Sequence, residues 1–296
     1  MLMLDPRRLR LLDDLSRLGT IAAVAQLRGY TASAVSQQLA TLEREAGIPL
    51  LERTGRRVRL TDAGAALAAA TDDVLLALEQ AEASVLAARG TAVGTVRIGA
   101  FPTAVRTLLP TALARLAERH PGLRLHVVEL DPADVPAALR DDRVDIGLVQ
   151  DYDVVPRAAA RGIQSAPLLE EAVHLATRGR AARTVADVRD EPWILAGPGT
   201  LCRAAAVHLC RAAGYEPVTR HVVDDFATVL ALVAAGQGVA IVPQLAAVDV
   251  PPPVRLDPVG TTRRTRVAHR AGAGRRPEIR AFVDVLRAVA EELPHA

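Results

Sequence analysis

Thr31, Ser33, Ser36, Gln37 and Gln38 are the side chains of this sequence best suited to reading another molecule's edges, since they offer hydroxyls and carboxamides without charge. Apolar Ala34, Val35, Leu39, Leu42 and Ala46 recur among and after them at helical spacing, which sets the polar group on or beside the opposite face. Thr31 suits an N-cap, and a tight turn through Arg28, Gly29 and Tyr30 joins this helix to an earlier one. The second helix of such a pair, with a short polar face at its N-terminal end, fits the major groove, where hydroxyls and amides meet base edges and phosphates. An ordinary helical hairpin with a solvated face carries the same local pattern.

Gly47 and Pro49 end the helix, and "LERTGRRVRLT" then reads as two short strands around Thr54 and Gly55. Arg53, Arg56, Arg57 and Arg59 crowd the tip, as a wing that follows a DNA backbone or enters a narrow minor groove requires. Through Leu60 there are ten arginines against six acids, a balance of +4, while the whole chain is only +2. Positive charge is therefore concentrated around the groove-reading helix.

The run "AVSQQLATLEREAGIPLLERTGRRVRLTDAG" resembles the N-terminal signature of the LysR-type transcriptional regulators over about residues 5 to 64. Their common form has a serine-rich recognition helix, then "LE", "G-hydrophobic-P-L", "ER" and "LT-acid-AG". Ala32 stands where many members carry glutamine, which removes one polar contact, and Leu51 stands where phenylalanine is usual. The resemblance implies a sequence-specific promoter-binding regulator, not an enzyme. DNA contacts are expected from Thr31, Ser33, Ser36, Gln37, Gln38, Arg53 and Arg56.

The rest of the chain agrees with that class. Half of its 296 residues are apolar and every Lys or Arg is arginine. The N-terminus lacks a long apolar core and no later run is long enough to span a bilayer, so a cytoplasmic protein is expected. Neither a G-x-S-x-G nor a metal-ligand cluster occurs, and "GQGVA" follows a helix and precedes a strand, the reverse of a dinucleotide loop. No cofactor or metal is expected. Cys202 and Cys210 lie eight residues apart in one apparent helix, about 12 Å along its axis, too far for a disulfide without melting it. The peroxide-sensing branch of the family is said to do that, so a redox-responsive regulator is one alternative; a solute-binding protein or enzyme with a helical appendage is a remoter one.

Between Asp62 and Pro102 no proline interrupts the chain, allowing one long helix. Leu67, Val74, Ala81 and Ala88 are seven apart, and Thr71, Leu78 and Val85 fall four after the first three. This narrow seam predicts pairing with a second copy through Leu67, Val74, Leu78, Ala81 and Val85. The resemblance implies the same dimer contact, within a homodimer that assembles to a homotetramer.

From Thr95 strands and helices alternate, and the alternation restarts near Trp193, which argues two parallel α/β units with a cleft between them. The expected fold is an N-terminal all-α winged helix-turn-helix with a long linker helix, then an α/β effector domain of two Rossmann-like, periplasmic-binding-protein-like subdomains. The boundaries are 1–60 for the DNA-binding domain, 61–90 for the linker helix, 95–162 with 268–296 for the first subdomain, and 163–267 for the second. Helix starts near Thr103 and Thr200 favour an anionic group. Phe101, Thr103, Gln150, Thr200 and Phe226 are the candidate effector-binding residues. In LysR relatives coinducers bind at the equivalent positions, Thr103 and Thr200 match polar residues there, and bulky Phe101 suggests an apolar or aromatic part in the ligand. Expected partners are double-stranded DNA with an inverted repeat, a small-molecule coinducer carrying an anionic group, a second copy of the chain, and RNA polymerase as a further candidate.

Overall fold

The computed structural model describes residues 3–54, 57–88, 90–155, 160–179 and 184–293, and the chain divides into two compact units. The first contains α1 (Pro6–Leu18), α2 (Ile21–Arg28), α3 (Ala32–Ala46), the hairpin β1 (Leu51–Thr54) and β2 (Arg57–Leu60), and α4 (Asp62–Ala88). Ala271–Arg275 groups with it and packs along α4, where a Cβ on Gly272 would lie 2.6 Å from Glu79 Cβ.

Leu9, Leu12 and Leu15 of α1, Val24 of α2, and Val35, Leu39 and Leu42 of α3 form the core of this unit with Leu50 and Ala68. The turn between α2 and α3 needs Gly29, whose φ of +68° is left-handed. Asp14, fully buried, holds α1 to the end of α2: Arg28 Nε donates to its Oδ2 at 2.6 Å and Arg28 Nη2 to its Oδ1 at 2.9 Å. After α3 the chain is fixed by Glu43, whose Oε1 accepts from the Leu50 and Leu51 amides at 2.9 and 3.0 Å. Thr61 Oγ1 caps α4 by accepting from Gly64 N and donates to Pro49 O. Gly64 allows α4 to lie directly on this turn, because a Cβ there would sit 2.1 Å from the Leu50 carbonyl oxygen.

The second unit is built on a six-stranded sheet of order β4-β3-β5-β10-β6-β9. Its strands are β3 (Gly94–Ala100), β4 (Leu123–Glu129), β5 (Ile146–Tyr152), β6 (Ile163–Arg178), β9 (Ala240–Pro243) and β10 (Val254–Arg270). A separate parallel pair joins β7 (Trp193–Leu195) and β8 (Thr219–Val222). The helices are α5 (Pro102–Thr107), α6 (Leu109–Arg119), α7 (Val135–Arg140), α8 (Leu201–Ala212), α9 (Phe226–Ala234) and α10 (Pro277–Glu291).

One expectation is corrected. The sheet is mixed, not parallel throughout: β3, β4 and β5 are parallel, whereas β10 runs antiparallel to β5 and β6, and β9 antiparallel to β6. The two connections expected between subdomains are themselves long sheet strands, which must run out and back and so pair antiparallel. The helix after β3 breaks at Leu108, and Pro110 sits in the first turn of α6, where its missing amide costs no hydrogen bond.

Replacing Gly64 by Ala should destabilise the first unit by about 1–3 kcal/mol through overpacking, despite alanine's better helix propensity. Urea unfolding of the variant checks this; an unchanged or raised midpoint would mean that the α4 approach to Leu50 is not tight.

Candidate DNA interface and effector cleft

Thr31 caps α3: its Oγ1 accepts from Ala34 N at 3.2 Å and lies 3.0 Å from Ser33 Oγ. With Val35, Leu39 and Leu42 turned into the core, Thr31, Ser33 and Gln37 are exposed and Ser36 is half-buried. Gln38 is exposed but occupied: Arg8 Nε donates to its Oε1 at 2.9 Å, and Arg8 Nη1 is bonded to Glu45 Oε1. Arg44, absent from the expected set, shares the outward face at seven residues from Gln37, and its Nη2 donates to Thr41 Oγ1 at 2.7 Å. The signal for it was present in the sequence as an arginine one face-repeat beyond Gln37. Arg53 lies on β1 opposite Val58, and Arg56 falls outside the described residues.

On α4, Leu67 packs on the core of the first unit and Thr71 is fully buried, its hydroxyl donating to Leu67 O. The N-terminal part of the expected seam is thus used inside the unit. Val74, Leu78, Ala81 and Val85 are exposed, at steps of four, three and four. Apolar residues at that spacing form a coiled-coil face.

In the second unit, register sets a buried polar layer. β10 lies between β5 and β6, so Arg263 faces Tyr152 on one side and Glu171 on the other, while Thr265 faces Gln150 and Leu169. Opposed residues in antiparallel strands share a face, and these form one polar layer in which Arg263, Tyr152, Thr265, Gln150 and Glu171 are all buried. Arg263 Nε donates to Glu171 Oε1 at 2.8 Å, and Glu171 Oε2 accepts from Leu245 N. Burial opposes charge on Arg263, but the Glu171 carboxylate together with the neighbouring Tyr152 and Cys202 outweighs it and raises the guanidinium pKa. The Phe101 ring lies against the same guanidinium, 5.1 Å from its centroid to Cζ.

Gln150 and Cys202 meet in this layer, with Nε2 3.7 Å from Sγ, and the Tyr152 hydroxyl lies 3.1 Å from the same sulfur. Thr103 is buried in the first turn of α5, with Phe101 at the cap position. Its Oγ1, like Gln150 Oε1 and Thr265 Oγ1, is buried without a hydrogen-bond partner. Such atoms are costly unless water or a ligand satisfies them. Thr200 is a true cap: its Oγ1 accepts from Arg203 N at 3.3 Å and donates to Gly197 O at 2.8 Å. Phe226 packs with Ile194, Val229 and Leu230 in an apolar cluster of its own half. Tyr152, Glu171, Arg263 and Thr265 lie outside the expected set; for Arg263 and Thr265 the signal lay in the alternation of "TRRTRVAHR", with exposed Arg264 between them, whereas Tyr152 and Glu171 join the layer only through strand pairing.

The first unit's helix-turn-helix and wing match the profile of the "Bacterial regulatory helix-turn-helix protein, lysR family" over residues 6–65, and residues 89–291 match the "LysR substrate binding domain". The chain belongs to the LysR family. This LysR-family protein is a DNA-binding transcriptional regulator with an effector-binding domain, and is not an enzyme. It is 31% identical over 291 residues to the "Probable HTH-type transcriptional regulator LrrA" of Synechococcus elongatus, with 97% of each chain covered. It is also 31% identical over 311 residues to a "Probable hydrogen peroxide-inducible genes activator" of Streptomyces viridosporus, covering 97% of this chain and 98% of the relative. The solved structure of full-length CbnR with its target DNA is similar at 25% identity and a TM-score of 0.54, covering 97% of this chain and all of that one. A full-length OxyR variant from Pseudomonas aeruginosa, 21% identical with a TM-score of 0.67 and 98% and 97% coverage, shares the fold.

The two thiols of this LysR-family chain stand on one intact helix, α8. Burial raises the Cys202 pKa, outweighing the nearby Arg263 charge and the Tyr152 hydroxyl; burial likewise pushes Cys210, at the core with Trp193, up to about 11. Since the thiolate is the reactive form, both cysteines should resist iodoacetamide at pH 7.4 in the folded protein, with labelling rising only as the pH passes the ordinary thiol value of 9.0. Rapid stoichiometric labelling at pH 7.4, read by intact-protein mass spectrometry, would contradict this assignment.

Proposed function

We propose that this regulator binds an inverted-repeat promoter site as a dimer, assembling to a tetramer, and that a small molecule in the cleft of the second unit adjusts that binding. The observation that carries the reading is the exposed, uncharged polar face of α3 on a closed apolar core. In this reading Thr31, Ser33, Ser36, Gln37 and Gln38 enter the major groove, while Arg53 and Arg56 grip the backbone through the wing. The solved complex of the relative CbnR with its target DNA supports the arrangement. Val74, Leu78, Ala81 and Val85 of α4 pair with a second copy, and Leu67 supports them from the core side. Thr103, Gln150, Phe101, Thr200 and Phe226, with Tyr152 and Thr265 added, surround the effector. No helix among the described residues is long and apolar enough to cross a membrane, and the protein acts in the cytoplasm, with RNA polymerase as its downstream partner. The redox alternative receives no support from two thiols whose pKa values are raised.

Two measurements test the proposal. Changing Val74 and Leu78 together to Glu should convert the assembly towards monomers in sedimentation velocity and abolish tight binding to a two-half-site duplex; an unchanged sedimentation coefficient would move the contact elsewhere. Changing Arg53 and Arg56 to Ala should lower the slope of log affinity against log salt by about 3.6 for a dimer, if each of its four such arginines meets one phosphate. A slope equal to that of the unmodified protein would remove both from the interface.

A further inference from the structure

Helix α3 carries a single basic side chain, Arg44, near its C-terminal end. It lies seven residues after Gln37, and two helical turns bring a side chain round to within about 20° of its starting direction. Ser33, four residues before Gln37, completes a stripe on the side of α3 opposite buried Val35, Leu39 and Leu42, and all three of its side chains are exposed. The charge at the end of this stripe is uncompensated. Arg8, Arg17 and Arg28 of α1 and α2 are each bound to a carboxylate, whereas Arg44 has no ion pair among the described residues. The acids beside it in sequence are occupied elsewhere: Glu43 Oε1 takes the Leu50 and Leu51 amides, and Glu45 Oε1 takes Arg8 Nη1. Thr41 Oγ1 donates to Gln37 O at 3.0 Å and accepts from Arg44 Nη2 at 2.7 Å, which draws the guanidinium back along the stripe towards the reading end. The other N–H donors of the guanidinium have no partner among the described residues.

We propose that Arg44 binds a DNA phosphate at the edge of the major groove and so fixes how far α3 enters it. This rests on α3 lying in that groove. Arg44 follows Thr31 by thirteen residues, a rise of about 20 Å along the helix axis, whereas the major groove is about 12 Å wide. With the N-terminal end of α3 on the base edges, Arg44 falls beyond the groove floor and over the sugar-phosphate wall. A planar fork of N–H donors with a delocalised charge suits phosphate oxygens. Phosphate contacts set register and orientation without reading sequence. Arg44 is thus a positioning residue, and the uncharged side chains ahead of it supply the discrimination.

The experiment measures affinity against salt concentration for the full-length protein on two duplexes of equal length: a site that the unmodified protein selects from random sequence, and a scrambled version of that site. Arg44→Ala should lower the slope of log affinity against log salt by about 1.8 on each, as a dimer loses one phosphate contact per copy. Affinity should fall by the same factor on both duplexes and on the selected site carrying single-base changes, so that the order of preferred bases is unaltered. Arg44→Gln, which keeps a donor for Thr41 without the charge, should behave as the alanine variant, and Arg44→Lys, which keeps the charge, should restore the slope. An Arg44→Ala slope equal to that of the unmodified protein would overturn the proposal, and so would a loss confined to one base position, which would make Arg44 a base reader. An unmodified protein that prefers no sequence over its scrambled version would instead refute the groove assignment itself.

Discussion

The antiparallel ladder between β6 and β10 is the constraint on which the second unit depends. It runs from the pair of Ile163 with Arg270 to that of Arg178 with Val254, with register shifts between Pro258 and Thr262 and between Thr265 and Arg266. Proline has no amide to give a ladder and is tolerated at such an irregularity. Because β10 also pairs with β5, a single register sets Arg263 between Tyr152 and Glu171 and sets Thr265 beside Gln150. Sliding either strand by one residue would turn this buried layer outward and bring Arg264 and Arg266 into the interior. The cleft's chemistry therefore follows from backbone pairing.

That register also explains why the layer holds a guanidinium. A buried cation is expensive unless it is paired and its hydrogen bonds are met, and Glu171 pairs with Arg263 while also accepting the Leu245 amide. The same carboxylate thus ties β10, β6 and the turn after β9. The buried atoms of the layer without a hydrogen-bond partner are the Thr103 and Thr265 hydroxyls, the Gln150 carboxamide oxygen and Arg263 Nη2, which pairs with Glu171 Oε1 at 2.8 Å.

In the first unit a comparable economy of contacts places the reading helix. Glu43 takes both amides of the chain leaving α3, Gly64 lets α4 press on the same turn, and Asp14 and Arg28 fix α2. The motif letters by which the sequence resembles its family, "LE", "PLLER" and "LTDAG", are largely these contacts and not DNA-facing residues. Their regularity identifies the scaffold, while the side chains proposed to read bases from α3 differ in kind: they are polar and uncharged.

What the sequence determined by itself was local. The caps at Thr31 and Thr200, the core stripe of Val35, Leu39 and Leu42, the arginine-rich hairpin, the uninterrupted α4 and the alternation of strands and helices all depend on spacing within a few residues, which the helical and strand periods expose directly. Tertiary structure decided what depends on distant partners. It divided the α4 seam into a packed start and an exposed remainder, placed Phe101 against Arg263, and joined Glu171 to Arg263 across 92 residues and Arg8 to Gln38 across 30. A side chain's period tells which face it occupies; only the packing of one element on another fixes which atoms that face will meet.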